Sequence, residues 1–368
     1  MAMHYNRRRF LSKLGETTGS IALGASLAPN ILQACNTPNQ SPLGVALVGL
    51  GYYSTDLLAP ALQQTKHCRL TGIVTGSPWK IPIWQEKYGI KDRNVYNYQN
   101  MHKVANNPEI DILYIVLPNS MHRDYSVIAA EAGKHVWCEK PMALNVKECQ
   151  DIIDACNKNK VQLTIGYRMQ HEPNTQTIIQ YATEKPYGKI LNINAEAGYY
   201  NSSTDHWKLR KEMGGGAMYD MGVYPLNAAR YVTGEEPIAV TASHSTDRPG
   251  IYTEVDETTR FTLEFPSGAT ADCLTTFGGS MNALHVDCKS GWYELKPFQS
   301  YSGIKGRTSE GKQLDARIPN QQAKQMDDDA LAIINKANPI VPGEEGLLDI
   351  KVVEAIFRSA QTGERVII

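Results

Sequence analysis

The sequence predicts two domains in series: an α/β domain on a parallel sheet, then an α+β domain with a large, mainly antiparallel open sheet. Three observations predict this. Between residues 45 and 168, near-continuous apolar runs alternate with helical patterns, as strands buried on both faces require. The first run ends in a glycine turn, Gly49-Leu50-Gly51. After residue 187 the rhythm changes to strict alternation of apolar and polar side chains, the mark of half-buried strands. The implied division is 1–40 as a leader and linker, 41–165 as the first domain and 166–368 as the second.

Taken in order, VALVGLG (45–51) is a short strand closed by glycines, and LLAPALQQ (57–64) suits a helix. RLTGIVTG (69–76) is the second strand, and Pro78 opens a helix over PWKIPIWQEKYG (78–89). DILYIVLP (111–118) is a fully apolar strand; MHRDYSVIAAEAG (121–133) is a helix closed by glycine. KHVWCEK (134–140) is a strand that Pro141 stops, because proline has no N–H to give. NVKECQDIIDACNKN (145–159) is an amphipathic helix with Val146, Cys149, Ile152, Ile153 and Cys156 on one face, and VQLTIGYR (161–168) is the next strand. In the second half, GKILNINAEAGYY (188–200) sets Leu191, Ile193, Ala195, Ala197 and Tyr199 on one side, and RFTLEF (260–265) does the same with Phe261, Leu263 and Phe265. PIAVTASHST, TADCLTTF and ALHVDCKSGWYEL are alike. Helical patterns are sparse here, so one sheet face is expected to meet a partner subunit in a homo-oligomer. EEGLLDIKVVEAIFRSAQTG (344–363) is a helix with acids at its start and glycine at its end, as the dipole prefers.

The chain has 368 residues and a formal net charge of −1, which gives no global field toward nucleic acid or an anionic membrane. No run of eighteen apolar residues exists to span a bilayer. NRRRFLSKLG (6–15) followed by SIALGASLAP (20–29) joins a charged head to a short apolar core, an export signal. Its Arg-Arg-x-Phe-Leu-x-Lys pattern resembles the twin-arginine type, which implies a periplasmic protein. LQAC (32–35) resembles a lipoprotein box, with Cys35 as a lipid anchor. The seven cysteines form no CxxC pair or zinc-like cluster, the histidines form no HxxxH pair, and no metal is expected. Cys149 and Cys156 lie two helical turns apart, about 10.5 Å, too far for a disulfide.

Gly49-Leu50-Gly51-Tyr52-Tyr53-Ser54 is G-x-G-x-x-G with serine at the third glycine position, placed between a strand and a helix. There Gly49 permits the tight turn and Gly51 lets main-chain N–H groups approach a pyrophosphate. A site for NAD usually carries Asp or Glu at the end of the second strand. Here that end reads Thr75-Gly76-Ser77-Pro78-Trp79-Lys80, with a hydroxyl at Ser77 and a cation at Lys80, which favours NADP over NAD.

Lys140 stands at the carboxyl end of a parallel strand, where open sheets bind ligands. Far downstream, GGGAMYDMGVYPLNAARYVTGEEP (214–237) supplies Asp220 and Tyr224, four apart and so on one face of a helix, after three glycines that would let the backbone come near a ligand. Together these residues resemble the glucose–fructose oxidoreductase family, which also includes inositol dehydrogenase. The likeness runs through VGLGYYS, LPNSMH, CEKPMA, IGYRMQHEP, HWKLRKEMGGGAMYDMGVYPLN and PGEEGLLD, and is nearest to the glucose–fructose oxidoreductase branch. It implies a Rossmann domain, Lys140, Asp220 and Tyr224 as catalytic residues, and a preference for NADP. It also implies nucleotide contacts from Tyr98, Leu117, Pro118, Asn119, His122, Glu139, Arg168 and Tyr301. That branch carries a long N-terminal arm over a neighbouring nucleotide; here only about eight residues separate Cys35 from the first strand, which puts burial of the cofactor by such an arm in question.

These readings imply acid–base work by Tyr224, with Lys140 stabilising the phenolate and binding the reacting oxygen, Asp220 binding a neighbouring hydroxyl, and Glu139 holding Lys140. An exported enzyme meets little free NADP, so a retained cofactor would be restored in place. One sugar is oxidised to a lactone and a second carbonyl sugar is reduced, in a ping-pong cycle. Two alternatives stand beside this: an NAD-dependent glycoside hydrolase acting by transient oxidation on the same scaffold, and a non-enzymatic sugar or nucleotide sensor.

Overall fold

Six short apolar strands make the first sheet: β1 (Leu43–Val48), β2 (Cys68–Val74), β3 (Val95–Tyr96), β4 (Ile112–Ile115), β5 (His135–Cys138) and β6 (Leu163–Ile165). Every pair is parallel, in the order β3-β2-β1-β4-β5-β6. The winding reverses between β1 and β4, and it is beyond the carboxyl ends of strands at such a switch point that open sheets bind ligands in a crevice. This computed structural model describes residues 41–368, and Leu43–Ile368 forms one compact unit. The export motif and Cys35 lie outside the described residues.

Helices α1 (Ile81–Tyr88), α2 (His122–Glu131) and α3 (Val146–Asn159) connect the strands. The α3 sequence pattern is realised closely: the Asn145 side chain accepts from the Glu148 amide, and Cys149, Ile152, Ile153 and Cys156 are buried. The six described cysteines are all free and buried. The helix after β1 begins earlier than its apolar run suggests, as a π-helical stretch Tyr53–Leu58 continued by Ala59–Ala61, because the glycine turn winds straight into it. The strand expected over 161–168 is shorter; after Ile165 the chain turns into a 3-10 segment, Arg168–His171, that carries Arg168 inward.

The second sheet has nine strands. β7 (Ile190–Tyr200), β8 (Ala239–Ser245), β9 (Thr258–Glu264), β10 (Thr270–Thr276) and β11 (Gly278–Cys288) make its broad centre. β12 (Gly291–Leu295), β13 (Gly306–Thr308), β14 (Gln313–Leu314) and β15 (Val366–Ile367) extend its edges. The order is β14-β13-β12-β11-β7-β10-β9-β8-β15, antiparallel except for the pair β7–β10. Ile193, Ala195, Ala197, Phe261, Leu263, Ala271 and Cys273 point to the buried face. Two helices cover that face, α5 (Val223–Thr233) and α7 (Gly343–Thr362), with α4 (Pro173–Glu184) packed against α5. The opposite face presents Asn194, Glu196, Arg260 and Asp272. No helix among the described residues is long and apolar enough to cross a membrane.

The two sheets are locked together. Glu354 of α7 accepts from the Val146 amide of α3, and the Ile165 amide donates to Val341. Helix α6 (Gln321–Ile334) returns to the first sheet, where Met326 and Ala330 join the core beside Tyr114 and Trp137. Neither α4 nor α6 stands out in the sequence, because Gln, Asp, Asn and Thr break up their apolar stripes.

Candidate active site

The glycine turn closes the crevice at the end of β1. Gly49 has φ +93°, and an added Cβ would lie 2.3 Å from the Val116 carbonyl, so only glycine fits. An added Cβ at Gly51 would meet nothing within 4 Å, so the loop faces open space there. Ser54, in place of the third glycine, is fully buried and donates its hydroxyl to the Gly49 carbonyl at 2.6 Å. It fastens the turn that glycine would merely permit. Tyr98 lies against Gly76 at the end of β2. Lys80 reaches back to the Leu50 carbonyl at 2.5 Å, so its ammonium lies beside the glycine loop, and no carboxylate stands between Thr75 and Lys80. This open cradle with its adjacent cation fits a dinucleotide, which Gly49, Leu50, Gly51, Tyr52 and Tyr53 would hold along the main chain and Ser77 and Lys80 would meet at its ribose end.

Beyond the ends of β4 and β5 lie the residues expected to carry the chemistry. The Lys140–Pro141 peptide is cis. Lys140 Nζ donates to the Asp220 carbonyl at 2.7 Å and sits 4.5 Å from the centre of the Tyr224 ring. Asp220 belongs to a π-helical stretch, Met218–Gly222, that leads into α5 and its residue Tyr224. Arg168 donates from Nη1 to the Tyr224 hydroxyl at 2.9 Å and from Nη2 to the Gln299 carbonyl. Its Nε is buried without an acceptor among the described residues. Burial alone would push the Tyr224 phenol up; the Arg168 guanidinium and the Lys140 ammonium outweigh it, and the pKa is lowered. The Asp220 carboxylate, largely but not fully buried, is held below its ordinary range by Lys208, Lys140 and Tyr199.

The structure alters several roles expected from the sequence. Glu139 accepts from the Tyr114 hydroxyl at 2.5 Å as well as facing the Lys140 charge and main chain, and burial raises its pKa against those partners. The cation bonded to the Tyr224 oxygen is Arg168, while Lys140 faces the ring. The Asp220 carboxylate is already bound by Lys208 at 2.7 Å and Tyr199 at 3.1 Å. Asn119 turns its amide to the Gly214 carbonyl at 2.7 Å. Both nitrogens of buried His122 lie against main-chain carbonyls, Nδ1 2.8 Å from Pro141 and Nε2 2.9 Å from Leu117. The Asn119 and His122 side chains are thus engaged within the protein, which leaves the main chain of Leu117, Pro118 and Asn119 as the part of this segment that could meet a nucleotide. Tyr301, carried on the loop after β12, lies 6.0 Å from the Tyr53 ring and 4.6 Å from the Arg168 guanidinium, so it bridges the second domain to the glycine loop. Lys208, Tyr199 and Tyr114 carry no sequence signal of their own; only the motif around HWKLRKEMGGG could have drawn attention to Lys208.

Comparison with known proteins places the fold in a family. Residues 43–167 match the family model for an oxidoreductase family with an NAD-binding Rossmann fold, and residues 175–294 match the GFO/IDH/MocA C-terminal domain. The crystal structure of aldose-aldose oxidoreductase from Caulobacter crescentus, complexed with glycerol, is similar with a TM-score of 0.86 and 39% identity, over 89% of this chain and 100% of that one. D-xylose 1-dehydrogenase [NADP(+)] of Haloarcula marismortui is 26% identical over 89% of this chain and 93% of its own length. D-glucoside 3-dehydrogenase of Escherichia coli is 26% identical over 89% and 97%. The glycine crevice, the lysine at the end of β5 and the aspartate–tyrosine pair thus stand in a chain that belongs to the GFO/IDH/MocA oxidoreductase family.

Proposed function

We propose that this protein is an NADP-dependent sugar oxidoreductase that keeps its nucleotide bound, oxidising an aldose to a lactone and reducing a second carbonyl sugar in a ping-pong cycle. One observation carries the reading: a tyrosine hydroxyl bonded to Arg168, with Lys140 over its ring, beside a glycine-lined crevice. Two cations beside one phenol lower its pKa, which makes it a better base than a free tyrosine.

The nucleotide, when bound, accepts and returns a hydride. Tyr224 takes the sugar hydroxyl proton during oxidation and gives it back to the second carbonyl. Lys140 keeps the phenolate form populated and donates to the sugar oxygen. The approach of the Tyr301 ring to Tyr53 of the glycine turn, at 6.0 Å, joins the second domain to the nucleotide end of the site, which supports retention of the nucleotide. The Ser77–Lys80 end, with Lys80 free to exchange the Leu50 carbonyl for a phosphate oxygen, supports NADP over NAD. The relatives named for aldoses and xylose support a sugar substrate. The twin-arginine pattern supports export of the folded, loaded protein to the periplasm, with Cys35 as a lipid anchor and the open face of the second sheet as a surface for a homo-oligomer.

The test is gel filtration of the purified protein with an absorbance scan, followed by a panel of aldoses and ketoses added singly. Nucleotide travelling with the protein, reduced by an aldose and reoxidised by a second sugar, is expected. Protein that emerges without nucleotide and needs fresh NADP for each turnover would sink the ping-pong reading.

A further inference from the structure

We propose that Lys208 is a positioning residue of this site: it holds the Asp220 carboxylate from outside the catalytic helix and, through the Asp220 main chain, fixes the Lys140 ammonium over Tyr224. The inference rests on the oxidoreductase reading above.

Lys208 lies in a short 3-10 turn, Trp207–Leu209, that precedes the Met218–Gly222 stretch in the chain and is separated from it by the triple glycine. Its Nζ donates to Asp220 Oδ2 at 2.7 Å and to the Tyr199 hydroxyl at 3.1 Å, and that hydroxyl donates to the same Oδ2 at 3.1 Å. The three groups close a triangle. An exposed surface pair would contribute little; here the lysine side chain is 24% exposed and the aspartate 15%, with the Tyr199 and Trp207 rings beside the ammonium. Asp220 also offers its main-chain carbonyl to Lys140, so a rotation of this residue moves both functional groups together.

The triple glycine builds this arrangement. Its close approach is to the protein's own chain: the Gly216 amide donates to the Lys208 carbonyl at 2.9 Å. A Cβ at Gly215 would lie 2.4 Å from that carbonyl oxygen. The glycines therefore seat the Lys208 turn directly on the start of the catalytic helix. Four charged or titratable groups from different elements face the Asp220 carboxylate: Lys208 and His206 of the 207–209 turn region, Tyr199 of β7, and Lys140 after β5. Lys208 is the one whose charge lies in direct contact with it. With Lys208 gone, the buried carboxylate would keep Tyr199 and the more distant Lys140, and would protonate more readily.

The experiment follows reduction of the bound nucleotide after aldose addition in Lys208→Met, Lys208→Arg and Tyr199→Phe holoenzymes, between about pH 5 and pH 10. For Lys208→Met we expect a rate loss of about 10²-fold at neutral pH, an acid limb displaced upward by about one unit or more, and retained nucleotide. Lys208→Arg should recover most of the rate and the limb. Tyr199→Phe should move the limb in the same direction by less, and serves if the methionine variant does not fold. A Lys208→Met or Tyr199→Phe enzyme with the parent's acid limb, or one impaired in KM alone, would overturn the proposal and leave Lys208 a simple wall of the sugar pocket. Lys140→Met run alongside separates the two claims: if it still transfers hydride, the oxidoreductase reading itself fails, whatever Lys208 does.

Discussion

Replacing Arg168 with methionine tests how Tyr224 becomes a base. In the native site the guanidinium donates to the phenol oxygen at 2.9 Å, and Lys140 lies over the ring at 4.5 Å. A hydrogen bond from a charged donor is worth about 1.5–3 kcal/mol. At about 1.4 kcal/mol per decade, its loss lowers the phenolate population at neutral pH by roughly 10- to 100-fold. The sign follows from the lowered pKa of Tyr224: removing a cation raises it, so oxidation slows at neutral pH and recovers as pH rises. A second consequence works differently. Arg168 also anchors the Gln299 carbonyl, so the loop bearing Tyr301 loosens, and that loss does not depend on pH. Stopped-flow reduction of bound nucleotide by an excess of aldose, across a pH series, separates the two. Recovery at high pH is expected. A loss that is equal at every pH would show that Arg168 only holds the loop, and an unchanged rate would refute its role with Tyr224 altogether.

Three further outcomes are expected. Lys140→Met abolishes hydride transfer while nucleotide still co-elutes, since the glycine loop is untouched; preserved turnover would remove Lys140 from the chemistry. Ser77→Asp places a carboxylate where the ribose end of the crevice has none and should shift nucleotide preference from NADP toward NAD by at least tenfold, about 1.4 kcal/mol; titration of the stripped protein with both nucleotides checks it, and an unchanged ratio argues against this end of the crevice. Asp329→Asn should stabilise the protein at high pH. Burial pushes the pKa of this α6 carboxyl up to about 7, with His171 beside it. Its folded pKa is raised, so the folded state keeps a proton that the unfolded chain releases, and stability falls as pH rises from about 4 toward 7. The melting advantage of the variant over the parent should therefore grow across that window, to at most about 4 kcal/mol; an advantage independent of pH would mean that Asp329 is already ionised.

The first sheet was legible because its strands are apolar on both faces and its helices are strongly periodic. α3 carries its own cap at Asn145 and its own stripe of buried side chains, so local residues suffice to place it. α4 and α6 were not legible, because their buried residues include Asn174, Thr175, Gln321, Gln322 and Asp329, which acquire partners only after folding. The site divides in the same way. Gly49 announces itself, since its conformation admits no other residue. Lys140, Asp220 and Tyr224 can be found from a strand end and a helical spacing. Arg168 was expected near the nucleotide, yet its bond to Tyr224 spans 56 positions of sequence.

What the sequence by itself determined about this protein is therefore local: the glycine turn, the strand that ends at Lys140, the aspartate and tyrosine four apart, and the lack of an acid after β2. Tertiary structure alone decided which cation meets which oxygen. Lys140 went to a main-chain carbonyl, Arg168 to the phenol and Lys208 to the carboxylate. The reason is physical: a buried charge settles where the surrounding chain offers a partner at bonding distance, and those partners come from strands and turns that only the folded chain brings together.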